Sequence, residues 1–234
     1  MTQLDFEIMG ADLQMVQIRL RQGQGVIAEP GAMVSMQETV SMETSTSGGL
    51  IKGFRRMLGG GGLFLSRFEN NSQSDVAEIA FSATYPGRVM AIDLERHGGE
   101  FIAQKNCFLC AEKSASVDIT FTKRFSSGLF GGEGFILQKI SGNNTAFIHG
   151  GGHVYQRELT ASDSLMVDTG CLVGFESSVG YKVKLISGVS NMLFGGEGMF
   201  LVKLTGPGKV YIQSMPFARL VHSVAAMLPN QRSG

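Results

Sequence analysis

The 234 residues (25.1 kDa) leave room for one large domain or two small ones, and 20 basic side chains balance 20 acidic ones. That balance argues against a strong non-specific attraction to nucleic acid or acidic membranes and leaves room only for a local basic patch, while 43% apolar residues with only five prolines exclude disordered and collagen-like chains. Charged residues make up 17% and glycines number 32, so many tight turns and much buried surface are expected.

No apolar run approaches the ~18 residues of a membrane-spanning helix. The opening MTQLDFEIMG has neither a basic and apolar leader nor the Arg-rich character of a transit peptide. Three cysteines, Cys107, Cys110 and Cys171, lack disulfide-framework spacing. A reducing prokaryotic cytoplasm is the expected setting.

In chain order, Leu13, Met15 or Val16, Ile18 and Leu20 alternate as a strand with one buried face does. Residues 26–33 then read as strand, four-residue turn, strand, and the pattern recurs at 101–108 and 165–172. Residues 49–58 place Leu50, Ile51, Phe54, Met57 and Leu58 on one helical face, with Lys52 and Arg56 opposite and Arg55 beside them. This short insert belongs to the first repeat only. It runs into Gly59, Gly60, Gly61 and Gly62, followed by Leu63-Phe64-Leu65. The same glycine-rich turn returns as Gly131-Gly132-Glu133-Gly134 and Gly195-Gly196-Glu197-Gly198, each after Leu-Phe. The separation from Asn106 to Gly134 equals that from Gly170 to Gly198, so two motifs repeat in step.

A third motif, a tight turn entering a strand, stands at 86–92, 142–148 and 206–212 and is read as the piece that completes each unit. The chain is therefore expected to be one compact all-β domain of three internal repeats, about 6–92, 93–150 and 151–214. Each repeat reads as a β-sandwich-like unit with turn signals at sandwich spacing. Pro216 followed by Phe217, Leu220, Val221, Val224 and Leu228 predicts a C-terminal amphipathic helix over about 216–228 that caps the β body.

The segment Ile27–Val34, the paired Leu-Phe-Gly-Gly-Glu-Gly turns and the ending Gly206–Ser214 together resemble the altered inheritance of mitochondria protein 24 family, from about Phe6 to Leu228. The resemblance implies a body similar to the tryptophan RNA-binding attenuation protein, a short double-stranded β-helix type, with no established enzymatic activity. Mitochondrial members of that family are linked to inner-membrane organisation, and some bacterial ones to membrane-stress systems that recruit phage-shock-type proteins. A likeness of fold transfers no site. The zero net charge lacks the basic footprint of nucleic-acid binding, so no nucleic-acid partner is expected.

Candidate chemistry is sparse. Cys107-Phe108-Leu109-Cys110 matches C-x-x-C, yet no second pair and no following helix accompany it. Residues three apart on a strand point to opposite faces. Ala32, Cys107 and Cys171 occupy matching positions in the repeats, where a small apolar side chain is wanted. His149 and His153 bracket three glycines, which reads as a mobile hairpin tip rather than a metal site. The glycine-rich turns open strands and lack the context of a phosphate loop, so they are read as three structural corners about a pseudo-threefold. Glu133 and Glu197 are expected to accept backbone N–H bonds in those turns. Glu112 and Glu176, matched by Gln37, are expected on outward strand faces. No catalytic residue, cofactor or metal is expected.

The sequence thus reads as a non-enzymatic binding or scaffold protein in the cytoplasm that forms a homo-oligomer and reaches the inner face of the membrane peripherally. Lys52, Phe54, Arg55 and Arg56 would form the helix that meets anionic lipid or a membrane-associated protein. Two alternatives stay open: a small-molecule-binding protein or enzyme with a pocket between β units, and a purely structural oligomeric ring.

Overall fold

The computed structural model describes residues 3–45, 65–72, 76–123, 134–186, 199–225 and 227. Strand β1 (Asp5–Met9) is an added edge, and the strands after it fall into three units of six. The first holds β2 (Met15–Arg21), β3 (Gly25–Ala28), β4 (Met33–Met36), β5 (Val40–Ser45), β6 (Leu65–Asn70) and β7 (Val76–Ser82). The second holds β8 (Gly87–Asp93), β9 (Glu100–Gln104), β10 (Phe108–Glu112), β11 (Ser116–Lys123), β12 (Phe135–Ser141) and β13 (Thr145–Gly151). The third holds β14 (Val154–Leu159), β15 (Ser164–Asp168), β16 (Leu172–Glu176), β17 (Gly180–Ile186), β18 (Met199–Thr205) and β19 (Gly208–Gln213). Helix α1 (Phe217–Ala225) follows.

Each unit uses one antiparallel wiring: first strand with sixth, sixth with third, second with fifth, fifth with fourth. The match extends to irregularities. A register shift falls between Met33 and Ser35, between Phe108 and Cys110, and between Leu172 and Gly174, the same bulge three times. The turn beyond it is also repeated: Val40 N–H donates to Gln37 O, Ala115 N–H to Glu112 O and Val179 N–H to Glu176 O, each at 2.9 Å.

Units join through backbone pairing, β10 onto β3 and β16 onto β9. Two six-stranded sheets result, β5-β6-β3-β10-β13-β8 and β11-β12-β9-β16-β19-β14, each half from one unit and half from the next. The outer sheets are β1-β2-β7-β4 and β15-β18-β17. Three cores fill the spaces between successive sheets. Alternation divides the side chains among them: Val26 and Ala28 of β3 enter the first core and Ile27 the second, while Phe101 and Ala103 of β9 enter the second and Ile102 the third. Because both faces of the six-stranded sheets are covered, β3, β10 and β13 are buried at every residue and read as continuous runs. Strand β2, on an outer sheet, alternates instead.

Two findings depart from the sequence reading. The motif at 86–92 does not close the first unit; β7 occupies the place that β13 and β19 hold in theirs, and β8 opens the second unit. The Pro-Gly signature there marks close strand approach, since a Cβ on Gly87 would strike the carbonyl oxygen of Gly150. Closure about a pseudo-threefold would need β15 to pair with β4, and among the described residues both remain outer edges.

Among the described residues the interior holds one amide side chain without a partner. Gln138 of β12 is fully buried, and neither its Nε2 nor its Oε1 has a hydrogen-bond partner among the described residues. It lies opposite Ala103 as Ser66 lies opposite Ala28 and Val202 opposite Val167, so the third unit already uses an apolar side chain at this point. Burying an unpaired amide costs about 1–3 kcal/mol. Gln138→Leu should therefore raise stability by about that much in urea unfolding, and a loss of stability would mean that the amide is satisfied in solution.

Candidate functional site

Most residues singled out in the sequence lie outside the described residues: Lys52, Phe54, Arg55, Arg56, Gly59, Gly60, Gly62, Gly131, Gly132, Glu133, Gly195, Gly196, Glu197 and Gly198. Chain order still places the three glycine-rich motifs alike, within the connections β5–β6, β11–β12 and β17–β18. Gly134 is described and enters β12 at φ +84°, a conformation that requires glycine.

The cysteine pair is divided between two cores, Cys107 in the second and Cys110 in the first, so they do not form one site. Cys107 shares its position with Ala32 and the half-buried Cys171, each at or after the tight turn that follows the second strand of its unit. Burial pushes the Cys107 thiol up to about 12 and raises Cys110 as well, which removes the thiolate that redox or nucleophilic work needs. In native protein a thiol reagent should modify Cys171 first and leave Cys107 and Cys110 intact until unfolding. Prompt modification of all three would contradict this burial.

His149 is not at a hairpin tip. It belongs to β13, is 1% exposed and packs edge-on against Tyr85 at 4.7 Å, whereas His153 is exposed beyond the strand end. The glycines between them serve packing: a Cβ on Gly151 would strike Met215 O, and one on Gly150 would strike Val154. Burial holds the His149 ring near 4, below its ordinary 6.5, and its Nδ1 has no partner among the described residues. The unfolded chain therefore takes up a proton near pH 6.5 that the folded chain refuses until about 4, so this contribution to stability is present above 6.5 and lost as pH falls. Between pH 7 and pH 5 the loss is about 2 kcal/mol. His149→Phe should remove that component of the pH dependence in urea unfolding at the two pH values. An unchanged dependence would show that the ring is protonated in both states.

The matched carboxylates do not face outward. Glu112 is buried and accepts from Ser114 N–H at 2.8 Å and from Asn144 Nδ2 at 3.2 Å. Glu176 accepts from Lys209 N–H at 2.9 Å and meets His97 Nδ1 at 2.8 Å, which ties the second unit to the third. Gln37 Oε1 accepts from Glu78 N–H at 3.0 Å, the residue that matches Lys209. These side chains clamp the repeated turn. Periodicity gave no sign of this, because Asn144, Lys209 and Glu78 reach these side chains from more than 30 residues away in the chain. Among the described residues no group of three His, Cys, Asp or Glu side chains could hold a metal ion.

The structure adds a surface where the sequence placed a cap. Helix α1 is anchored at its first turn: Pro216 is buried, Phe217 lies 5.3 Å from the Tyr85 ring, and Arg219 pairs with Asp168 at 2.8 Å. No helix residue is buried, and Phe217, Val221 and Val224 line one exposed face. Tyr85 is the hub that sequence reasoning missed. It touches both His149 and Phe217, and its hydroxyl donates to Asn106 O at 3.1 Å. Its one sequence signal is an aromatic placed just before Pro86-Gly87. A cleft of about 280 Å³ opens beside it, bounded by Leu13, Gln14, Ser82 and Gly87. Among the described residues no helix is long and apolar enough to cross a membrane.

This fold is found in a crystal structure of a Streptococcus pyogenes protein from structural genomics, 23% identical, with a TM-score of 0.78 over 97% of this chain and 100% of that one. An uncharacterized protein of Streptococcus pyogenes serotype M6 is 23% identical over 92% of this chain and 87% of its own length. The sequence profile described as Mitochondrial biogenesis AIM24 matches residues 6–215, nearly the whole β body, and the chain belongs to that family.

Proposed function

We propose that the chain is a non-enzymatic binding or scaffold module that docks on an anionic membrane surface. The observation that carries this reading is the exposed face of α1. Val221 and Val224 are 44% and 52% exposed at helical spacing, and Phe217, which rests on the Tyr85 ring at the first turn, is still 49% exposed. A contiguous apolar face left in water is costly for a soluble chain and is characteristic of a docking element. The helix carries no acidic residue, which suits an anionic surface better than a basic one. The sequence supplies a second candidate element in Lys52, Phe54, Arg55 and Arg56.

Flotation with vesicles of phosphatidylcholine and phosphatidylglycerol tests the reading. The intact chain should float with anionic vesicles, and Val221→Ser/Val224→Ser, which spares the anchoring Phe217, should weaken binding at least about tenfold, since each buried apolar side chain is worth about 1.5–3 kcal/mol. Lys52→Glu/Arg55→Glu/Arg56→Glu reports on the other element. Recovery of the intact chain in the soluble fraction at every anionic lipid content would overturn the proposal and turn attention to protein partners.

A further inference from the structure

One position on the fifth strand of every unit is basic: Arg67 of β6, Lys139 of β12 and Lys203 of β18. The three are equivalent, because each follows directly after one of the matched residues Ser66, Gln138 and Val202. In the first two units the fourth strand sets an acid straight across from it, Glu43 opposite Arg67 and Asp118 opposite Lys139. The third unit breaks this plan, for Lys203 is opposed by Lys182 of β17. The second unit also supplies Glu100, whose Oε1 lies 2.9 Å from Lys139 Nζ. Ser164 stands at that position in the third unit. Both acids are thus absent where a second base is present.

Alternation fixes the face on which these lysines stand. Val202 and Leu204 of β18 belong to the third core and Val183 of β17 packs against it, so Lys203, Lys182 and Lys184 share the outer face of the last sheet. Lys182 and Lys184 are exposed and Lys203 is half-buried. Among the described residues no carboxylate pairs with any of the three. Directly opposed residues stand about 5 Å apart at Cβ, and like charges there are destabilising. The outer sheet at the other end of the stack does the reverse, surrounding its Arg19 with Asp5, Glu7 and Glu78. A repulsion relieved elsewhere in the molecule is therefore kept on this one face.

We propose that the outer face of sheet β15-β18-β17, through Lys182, Lys184 and Lys203, is the surface that meets the phosphates of an anionic lipid layer. This rests on the membrane reading above and names the part of the chain that supplies its charge attraction.

The neighbours of the lysines favour this occupant. One row across the sheet runs Met166, Lys203, Lys182 and the next runs Asp168, Leu201, Lys184. Met166 is 42% exposed, so the basic row ends in an apolar side chain. Asp168 holds Arg219, which ties the first turn of α1 to this edge two strand spacings, about 10 Å, from Lys184. Helix α1 brings exposed Val221 and Val224 but engages its Arg219 within the protein, so it offers apolar contact with little free charge. Lysines on the adjoining sheet supply the missing half, since interfacial binding combines apolar burial with attraction to anionic headgroups. Nucleic acid fits less well. The described outward residues of the three strands include no aromatic side chain on which a base could stack.

The test uses the full chain, vesicles of phosphatidylcholine with and without phosphatidylglycerol, and flotation near physiological salt. Each lysine beside an anionic surface is worth about fivefold in affinity. Lys182→Glu and Lys182→Gln/Lys184→Gln should each weaken binding to the anionic vesicles at least about tenfold. Arg96→Glu, which makes the same change in net charge as Lys182→Glu but on the β8–β9 turn, should stay within about twofold, because distant charges are screened. Lys182→Glu should also raise the urea midpoint, since it recreates the acid–base pair of the other two units. A variant that merely damaged the fold would lower it. Unchanged vesicle binding by both lysine variants, with Val221→Ser/Val224→Ser still weakening it, overturns the proposal and leaves the membrane reading standing. An intact chain that binds no anionic vesicle removes both. Binding of a single-stranded oligonucleotide that Lys182→Glu abolishes while vesicle binding persists assigns the face to nucleic acid and overturns the proposal. A lowered urea midpoint for Lys182→Glu does so too, because Lys182 would then be compensated within the chain.

Discussion

Everything in this molecule depends on the sharing of a sheet between neighbouring units. A strand such as β3 satisfies its backbone on one side within its own unit, through β6, and on the other side through β10 of the next. With both faces of the sheet covered by apolar cores, no water is at hand to replace either set of hydrogen bonds, and an unpaired buried backbone group is expensive. A unit cut from its neighbour would expose Ile27 on one face and the N–H row of β3 along one edge. The units are therefore repeats in sequence but parts of one cooperative body, in the manner of stacked repeats that stabilise each other through their interfaces.

The same constraint explains which features were legible. Burial on two faces writes continuous runs such as Gly25-Val26-Ile27-Ala28 and Phe108-Leu109-Cys110-Ala111 into the chain, while the glycine-rich turns and the recurring strand-turn-strand motif announced the repeats. The small-residue position of Ala32, Cys107 and Cys171 was equally legible, because close packing limits side-chain size wherever the turn recurs. Strand partnership was not. Pro86-Gly87 and Gly206-Pro207-Gly208 look alike as turns, yet one leads into an opening strand and the other into a closing one. Composition reports burial and backbone conformation, whereas pairing is decided by a neighbour tens of residues away. For the same reason the clamps made by Glu112 and Glu176 were misplaced: a carboxylate reads as a solvent residue until Asn144 or Lys209 is brought to it.

The helix was misread for a different reason. An amphipathic pattern states that one face is apolar but not what covers it. Pro216, the Phe217–Tyr85 contact and the Arg219–Asp168 pair fix the first turn, and Val221 and Val224 beyond it stay exposed. The interior polar groups show the opposite economy. Among the described residues Gln138 and the Nδ1 of His149 are enclosed without partners; the other units place Ser66 and Val202 where Gln138 stands, and Ser82 and Gln213 where His149 stands, so these two side chains are particular to the second unit.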